Sequence, residues 1–466
     1  MFIVTNKVEA VAGGMAALLL AVAFVSAQES DITVPAPDPQ IAAALAEVSS
    51  AQIQKNIETL AGFYTRQTLS ADMPPIGGKG VSAAAQWIQG EFQKYSGQCG
   101  DCLEVRTDQF IQPPAPRVLQ PTTITNVYAV LRGTDPANAG RIYVVTGHYD
   151  SRNSDPNDAT NAAPGANDDA SGTAVSLECA RVLSKHRFPA TIIFLTVAGE
   201  EQGLYGSAHF AKMSKAVGWD IEAVLNNDIV GGDHTPGDTA QNPHIVRVFS
   251  EGIPSTASDN EVRRIRSLGG ESDGPSRQLA RYVAEIATQY LSASDFHAML
   301  VFRHDRYLRG GDHMSFNDQG FAAVRLTEYR ENFNHQHQNV RTENGIEYGD
   351  LPKFVNYDYT ANVARLNAAS LASLASAPAP PVDVRLLTKQ LQNDSTLEWK
   401  ASPGGLATGY EVLWRDTTAP EWQHAKAVGN VTRITVPVSK DNVVFAVRAL
   451  DAKGHRSLAI VPEPER

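Results

Sequence analysis

Cysteine is scarce in this chain, with three residues among 466. A zinc site made of thiolates would need two more ligands near the pair Cys99 and Cys102, and no thioredoxin-like strand and helix pattern surrounds that pair. In an oxidising compartment the two can close a tight surface disulfide, which we expect to staple a loop. Cys179 lies at helical spacing with Val175 and Val182, which indicates a small buried apolar side chain.

Basic residues are fewer than acidic ones, and the formal net charge is −11 at pH 7. Because phosphate binding requires a basic surface, this balance disfavours nucleic acid as a partner, although it leaves room for a locally basic pocket. Hydrophobic residues make up 42% and charged residues 20% of the chain, which is typical of a soluble globular protein. The length suits two or three domains. We expect a monomer with no nucleic-acid partner.

Long hydrophobic runs are almost lacking. One run, residues 15–25, follows the basic Lys7 and ends in the small residues Ser26 and Ala27. It is too short to span a bilayer and is followed by polar residues, so we predict a cleaved signal peptide over residues 1–27. A disordered or membrane-tethering N-terminus is the alternative. The prediction implies a secreted or periplasmic protein that leaves the membrane after cleavage.

The pattern of hydrophobic residues predicts an α/β fold over residues 28–375. Apolar strand runs such as 191–197 and 322–326 alternate with amphipathic helical stretches, which indicates a mostly parallel mixed sheet with helices on both faces. A stiff Pro-rich linker follows at residues 376–382. Short alternating runs over residues 383–466 then predict a β-sandwich, and the strands around Trp399, Tyr410 and Phe445 resemble those of a fibronectin type III module.

Acids and histidines cluster in five short segments, each at a predicted strand or loop end. In an open α/β sheet the functional site forms at the carboxyl ends of the strands, so these segments are expected to meet. The segments are 144–150, which contains His148 and Asp150; 164–172, with Asp168 and Asp169; 198–203, with Glu200 and Glu201; 225–228, ending in Asp228; and 334–337, with His335 and His337.

These residue types suit a two-metal hydrolase. Zinc prefers imidazole nitrogen and carboxylate oxygen where thiolates are absent, and two ions about 3.5–4 Å apart need one shared carboxylate. A further carboxylate must remain free to take a proton from a water. Each segment alone has an ordinary explanation, such as a helix cap or a solvated acid pair, but the ordered combination predicts a metal centre.

The patterns Gly-His-x-Asp, Gly-Ala-x-Asp-Asp-Ala-Ser-Gly and Glu-Glu-x-Gly-Leu-x-Gly-Ser resemble those of the dizinc aminopeptidases, relatives of glutamate carboxypeptidase and glutaminyl cyclase. The resemblance runs from about Leu60 to Leu374. It implies a zinc exopeptidase fold that binds two Zn²⁺ per chain and removes N-terminal residues from peptides. By position it implies one zinc on His148 and Asp228, the other on Glu201 and His335, Asp168 as the bridge, Glu200 as general base, Asp150 as the partner of His148, and a cis peptide bond between Asp168 and Asp169.

The last ligand departs from the family pattern, which usually has an Asp four residues later. Asn339 stands at that distance from His335, whereas Arg341 stands at that distance from His337, so the sequence favours His335. The resemblance also places Asp312 and His313 beside the pocket. It leaves Tyr307 as a weaker candidate for a hydrogen bond to the tetrahedral intermediate.

Two other functions fit parts of the sequence. Arg303, Arg306 and Arg309 could bind a substrate carboxylate, as in a carboxypeptidase-type relative, although pairing with nearby acids is the more ordinary role. A protein that kept the fold and lost catalysis could act as a metal-free binding module, but competent residues at all the ligand positions argue against it. The pair Glu200 and Glu201 favours hydrolysis over glutaminyl cyclisation.

Overall fold

A computed structural model describes residues 32–71 and 79–465. The predicted signal peptide lies outside this range. The helices of the described residues are α1 Pro39–Ala46, α2 Ser50–Gly62, α3 Val81–Gln98, α4 Ala170–Leu183, α5 Glu200–Gly203, α6 Tyr205–Ala216, α7 Asp259–Ser267, α8 Pro275–Leu291, α9 His313–Asn317 and α10 Tyr357–Ser376.

The strands of the first, larger part of the described chain are β1 Leu103–Gln112, β2 Thr122–Leu131, β3 Arg141–His148, β4 Thr191–Val197, β5 Asp220–Asn227, β6 Ile245–Ser250, β7 His297–Val301, β8 Ala323–Glu328, β9 Arg341–Glu343 and β10 Ile346–Tyr348. Those of the C-terminal part are β11 Val382–Leu387, β12 Ser395–Lys400, β13 Gly409–Asp416, β14 His424–Gly429, β15 Arg433–Val436, β16 Val443–Leu450 and β17 Glu463–Glu465.

Eight strands of the described chain form one mixed sheet in the order β1-β2-β4-β3-β5-β8-β6-β7. Its central strands β4, β3, β5 and β8 are mutually parallel, and the outer pairs β1–β2, β2–β4 and β8–β6 are antiparallel. Every residue of β3 and β4 is buried, as expected for parallel strands covered on both faces. The predicted α/β fold is therefore confirmed.

Apolar clusters cover both faces of this sheet. The larger cluster joins one face to helices that include α4, α8 and α10, whereas Phe210 of α6 and Phe316 of α9 pack against the other face. Each fully buried Leu, Ile, Val or Phe side chain contributes about 1.5–3 kcal/mol relative to exposure. The two layers thus hold the central strands rigidly and leave their carboxyl ends free to carry polar groups.

Helix α4 approaches the sheet so closely that glycine is required at the contact. A Cβ atom on Gly172 would lie 2.1 Å from the carbonyl oxygen of Asn227, and one on Gly147 would lie 2.4 Å from the carbonyl carbon of Gly172. The side chain of Asp169 caps the helix by accepting from the backbone N–H of Gly172 at 2.9 Å. The first turn of α4 therefore lies directly against the ends of β3 and β5.

Residues 47–49 separate two helices near the start of the described chain. Helix α1 ends at Ala46, and α2 begins at Ser50 with the side chain of Ser49 accepting from the N–H of Gln52 at 3.2 Å. Serine competes for backbone N–H groups and so favours a helix start over a helix interior.

The C-terminal strands form a four-stranded sheet, β15-β12-β11-β17, and a three-stranded sheet, β14-β13-β16, within the described chain. They share a core that includes Trp399, Tyr410 and Phe445. This confirms additional β-sheets at the C-terminus, while the fibronectin type III likeness stays a prediction. The segment predicted as a linker lies between α10 and β11, where Arg141 donates to the carbonyl oxygens of Ala377 and Pro378 at 2.9 and 3.2 Å.

Two smaller predictions concern the cysteines and the membrane. Cys99 and Cys102 form a disulfide, and Cys179 is a buried free thiol, as expected. Among the helices that the structure describes, none is both long enough and apolar enough to cross a membrane.

Arg66 ties together the two ends of the loop that connects β3 to α4. Its fully buried guanidinium donates to the carbonyl oxygens of Tyr149 at 2.6 Å, Leu60 at 2.9 Å, Pro164 at 2.5 Å and Gly165 at 2.8 Å. Burial lowers the pKa of Arg66 to about 10, with nearby carboxylates opposing the shift, so the group stays charged at neutral pH. One side chain thus holds both ends of a loop that carries candidate site residues.

We expect Arg66→Met to lower the free energy of unfolding by about 3 kcal/mol or more, because four buried carbonyl groups lose their donor. Urea unfolding of the metal-free protein, followed by circular dichroism, measures this change. The matched control is Arg330→Met, since Arg330 is exposed and paired with Asp238, and it should change stability by less than about 1 kcal/mol. Equal effects of the two variants would contradict this role of Arg66.

Candidate metal centre

The parallel strands bring the predicted residues together at one edge of the sheet. His148 ends β3, Glu200 and Glu201 begin α5 just after β4, and Asp228 follows β5. Two groups of potential ligands result, each with ligand atoms within 4.8 Å of one another. The first group is His148, Glu200 and Asp228, and the second is Asp168, Glu201 and His337.

His148 offers a free ligand atom. Its Nε2 is buried and makes no hydrogen bond, although it lies 3.2 Å from Oδ1 of Asp168 and 3.9 Å from Oδ1 of Asp228. Burial lowers the pKa of His148, but the surrounding carboxylates outweigh it and raise that pKa well above its ordinary value. A buried imidazole nitrogen facing several carboxylates is a suitable position for a divalent cation.

Asp168 connects the two groups. Its Oδ1 faces Nε2 of His148 at 3.2 Å, and its Oδ2 faces Nε2 of His337 at 2.9 Å. The backbone N–H of Asp168 donates to Oδ2 of Asp350 at 2.7 Å, which fixes the loop. Each carboxylate oxygen therefore points towards a different group, as a shared ligand must. The peptide bond between Asp168 and Asp169 is cis, as the family resemblance implies.

Asp150 supports both His148 and the start of α5. One of its oxygens lies 3.5 Å from Nδ1 of His148, and its carboxylate accepts from the backbone N–H groups of Glu200 at 3.4 Å and Glu201 at 3.3 Å. Thr68 Oγ1 donates to it at 2.8 Å. Nδ1 of His148 is hydrogen-bonded to the backbone carbonyl oxygen of Asp150 at 3.1 Å, and the Asp150 carboxylate places the two glutamates.

Glu200 is poised to accept and release a proton. Burial raises its pKa well above the ordinary value, and the negative charges of Asp228 and Glu201 raise it further, while His148 opposes the shift. Its carboxylate belongs to the group with His148 and Asp228. A carboxyl group in such surroundings changes protonation state nearer to neutral pH than an exposed one.

Glu201 and His337 form the second group with Asp168. Oε1 of Glu201 lies 3.0 Å from Nε2 of His337, and Oε2 of Glu201 lies 3.3 Å from Nε of Arg152. Burial lowers the pKa of His337, but Glu201 and Asp168 raise it to about 10. In the absence of a cation, the negative charges of Glu201 and Asp168 therefore attract the imidazole of His337.

The structure places His335 and His337 against different partners. Nδ1 of His335 is hydrogen-bonded to Oδ2 of Asp233, and its ring stacks on Phe354 with ring centroids 3.7 Å apart. His337, two residues later, instead reaches Asp168 and Glu201. Asn339, four residues after His335, accepts from the backbone N–H of Ser154 at 3.2 Å.

The arginine-rich loop is occupied by internal contacts. Arg306 and Arg309 both bind Oε2 of Glu331, at 2.9 and 2.6 Å. Arg303 lies over the ring of Tyr307 and donates to its hydroxyl at 2.8 Å. The more ordinary of the two roles considered for these arginines is therefore the one observed. Tyr307 itself is 80% exposed.

Asp312 and His313 are both fully buried beside the cluster. Burial raises the pKa of Asp312 to about 7, with His148 opposing, and burial lowers the pKa of His313. Nε2 of His313 contacts the carbonyl oxygen of His304 at 2.9 Å. Their position next to the candidate ligands agrees with the expected lining of the pocket.

Several supporting residues had no recognisable sequence signal. Asp350 accepts from the N–H groups of Asn167 and Asp168, and Gln336 donates to Oδ2 of Asp168 at 3.0 Å. Arg152 lies between Glu201 and His337. Arg325 does carry a signal, because a charged residue inside the apolar run 322–326 must find a partner when the strand is buried.

The donor set and the comparisons with known proteins agree. Two imidazoles and several carboxylates, with a buried unpartnered imidazole nitrogen, fit zinc. Residues 126–353 match the family described as "Peptidase family M28".

Relatives and a solved structure extend this match. A "Probable zinc metalloprotease" of Leptosphaeria maculans is 44% identical over 92% of this chain and 98% of its own length. Another, of Pyricularia oryzae, is 46% identical over 93% of this chain and 86% of its own length. The LapA aminopeptidase of Legionella pneumophila has a similar fold, with a TM-score of 0.51 and 21% identity over 75% of this chain and 78% of that one. The chain belongs to peptidase family M28 and is a zinc metalloprotease of that family.

Proposed function

We propose that this zinc metalloprotease is an exported aminopeptidase that uses two metal ions. The observation that carries the proposal is the position of Asp168, whose two oxygens face His148 and His337 on opposite sides. A carboxylate shared in this way is what a pair of neighbouring ions requires. His148 and Asp228 would hold one zinc, Glu201 and His337 the other, and Asp168 both.

Zinc bound there would supply Lewis acidity, which lowers the pKa of a water and polarises a carbonyl group. The chain's own residues do the rest. Asp150 orients His148 and places the start of α5, so that Glu200 faces His148 and Asp228. With its raised pKa, Glu200 takes the proton from the attacking water and then donates it to the leaving amine.

The contacts of the arginine loop favour an aminopeptidase over a carboxypeptidase-type enzyme. A carboxylate-binding arginine must offer free N–H groups to the substrate. Arg306 donates to Asp305, Glu331 and the carbonyl oxygen of Gly310. Arg309 donates to Glu331 through Nη1, and Arg303 donates to Tyr307. A role for Tyr307 in binding the reacting carbonyl remains part of the proposal, and so does peptide as the substrate class. Competent residues at every proposed ligand position support an active enzyme rather than a binding module.

Export is proposed from the hydrophobic run at residues 15–25, and the disulfide between Cys99 and Cys102 suits an oxidising compartment. N-terminal sequencing of the mature protein tests it. A chain that begins near Gln28 is expected, and a chain that retains residues 1–27 inside the cell would contradict it.

Purified protein is expected to cleave amino-acid anilides, to lose activity on chelation and to regain it with zinc. Metal analysis of the active protein should give about two ions per chain. N-blocked peptides serve as the control, because only an aminopeptidase requires the free amine. Cleavage of N-blocked peptides from the carboxyl end, with no cleavage of anilides, would contradict the proposed specificity while leaving the metal centre in place.

Glu200→Gln should retain both metal ions and lower kcat about 10²- to 10⁴-fold, because the amide has the same shape but cannot accept the proton. Steady-state kinetics on an anilide together with metal analysis measure both quantities. If the variant retained full activity, Glu200 would not be the base. If it lost one ion, Glu200 would be a ligand instead.

His337→Ala should lose about one ion per chain, whereas His335→Ala should keep two. The physical reason is that His337 contacts Asp168 and Glu201, while His335 contacts Asp233 and Phe354. Metal analysis after desalting, with thermal unfolding as a check on folding, measures the difference. The reverse pattern would return the ligand role to His335.

A further inference from the structure

Arg325 lies against the candidate ligand Asp228. It is fully buried on β8, which runs parallel to β5 with Arg325 opposite Asn226, two residues before Asp228. Nη2 of Arg325 is 2.8 Å from Oδ1 of Asp228. That same oxygen is the one 3.9 Å from Nε2 of His148. The guanidinium therefore contacts the Asp228 oxygen on the side of the metal centre.

The second terminal nitrogen of the Arg325 guanidinium, Nη1, is also held by neighbouring groups. Nη1 of Arg325 donates to the carbonyl oxygen of Gly310 at 2.8 Å and lies 3.3 Å from Oδ2 of Asp305. Asp305 is buried as well. Arg325 is thus placed between two buried carboxylates and a backbone carbonyl. Its guanidinium therefore has no freedom to turn away from Asp228.

The neighbouring backbone leaves no spare room. A Cβ atom on Gly311 would lie 2.9 Å from Nη1 of Arg325 and 3.2 Å from Oδ2 of Asp228. Protein interiors are packed densely enough that an added methyl group must displace such neighbours. Gly311 therefore permits the close fit between Arg325 and Asp228.

We propose that Arg325 is a positioning residue that fixes the Asp228 carboxylate in the orientation in which it binds an ion beside His148. This inference rests on the two-metal function proposed above. A carboxylate held by a rigid guanidinium is preorganised, so no torsional freedom is lost when the ion binds. The effect is confined to the ion next to His148, because Glu201 and His337 of the other group do not contact Arg325.

The test uses a charge-neutral pair of substitutions, Arg325→Met with Asp305→Asn, which removes one positive and one negative charge together. We expect this variant to keep one zinc at wild-type affinity and to bind the other about tenfold or more weakly. Zinc titration of the full chain against a chelator of known affinity measures both dissociation constants. Arg325→Lys should give an intermediate loss, since an ammonium group keeps the charge but not the planar fork.

Gly311→Ala provides an independent variant with no change of charge. The added methyl group should push Arg325 and Asp228 apart and weaken binding of the ion beside His148, with binding of the other ion unchanged.

The matched control for the charge-neutral pair is Arg448→Met with Glu411→Gln. Arg448 is another fully buried arginine, 2.8 Å from Glu411 and 2.6 Å from Glu285. This control should lower thermal stability and leave both zinc affinities as in the wild type.

Three results distinguish the possibilities. Selectively weaker binding of the ion beside His148 in both site variants supports the proposal. Unchanged or tighter binding of both ions, or an equal loss of both, overturns it and leaves Arg325 with a role in folding only. Fewer than two ions in the wild-type protein would instead refute the two-metal function on which the proposal rests.

Discussion

The structure depends on keeping several carboxylates close together in a buried volume. Asp168, Glu200, Glu201 and Asp228 occupy two adjoining groups whose ligand atoms lie within 4.8 Å of one another inside each group. Two like charges about 4 Å apart repel by about 4 kcal/mol at an effective dielectric constant of 20. Burial adds a desolvation cost to each charge. Such an arrangement persists only where the surroundings both compensate the charge and prevent the side chains from moving apart.

Two kinds of contact meet these needs. Cationic groups compensate the charge, since His148 and His337 face Asp168 and the guanidiniums of Arg152 and Arg325 face Glu201 and Asp228. Divalent ions would complete the compensation. The loops are held rigidly by hydrogen bonds to backbone groups, of which the contacts of Arg66 with four carbonyl oxygens are the largest set around the site. The stability of the loops and the affinity for metal therefore depend on overlapping contacts.

The candidate ligands come from outside the C-terminal sheets, which form ion pairs with the peptidase part. Arg415 reaches Asp273, just before α8, at 2.6 Å, and Arg448 reaches Glu285 on α8 at 2.6 Å. The candidate ligands all come from residues 148–337. The contact therefore supports α8 and its neighbours rather than the reacting groups.

The sequence by itself determined the α/β class, the C-terminal β region and most of the metal centre. Alternating apolar runs predict strands and helices because burial on two faces imposes a period, and His148, Asp168, Glu201 and Asp228 lie at strand or loop ends that a parallel sheet must bring together. Only the tertiary structure shows that His335 and His337 have different surroundings, because His335 contacts Asp233 and Phe354 whereas His337 contacts Asp168 and Glu201. It also decided the contacts of Arg66, Asp350 and Arg325. Their partners are distant in sequence, and no local pattern records a contact that forms only when separate loops pack together.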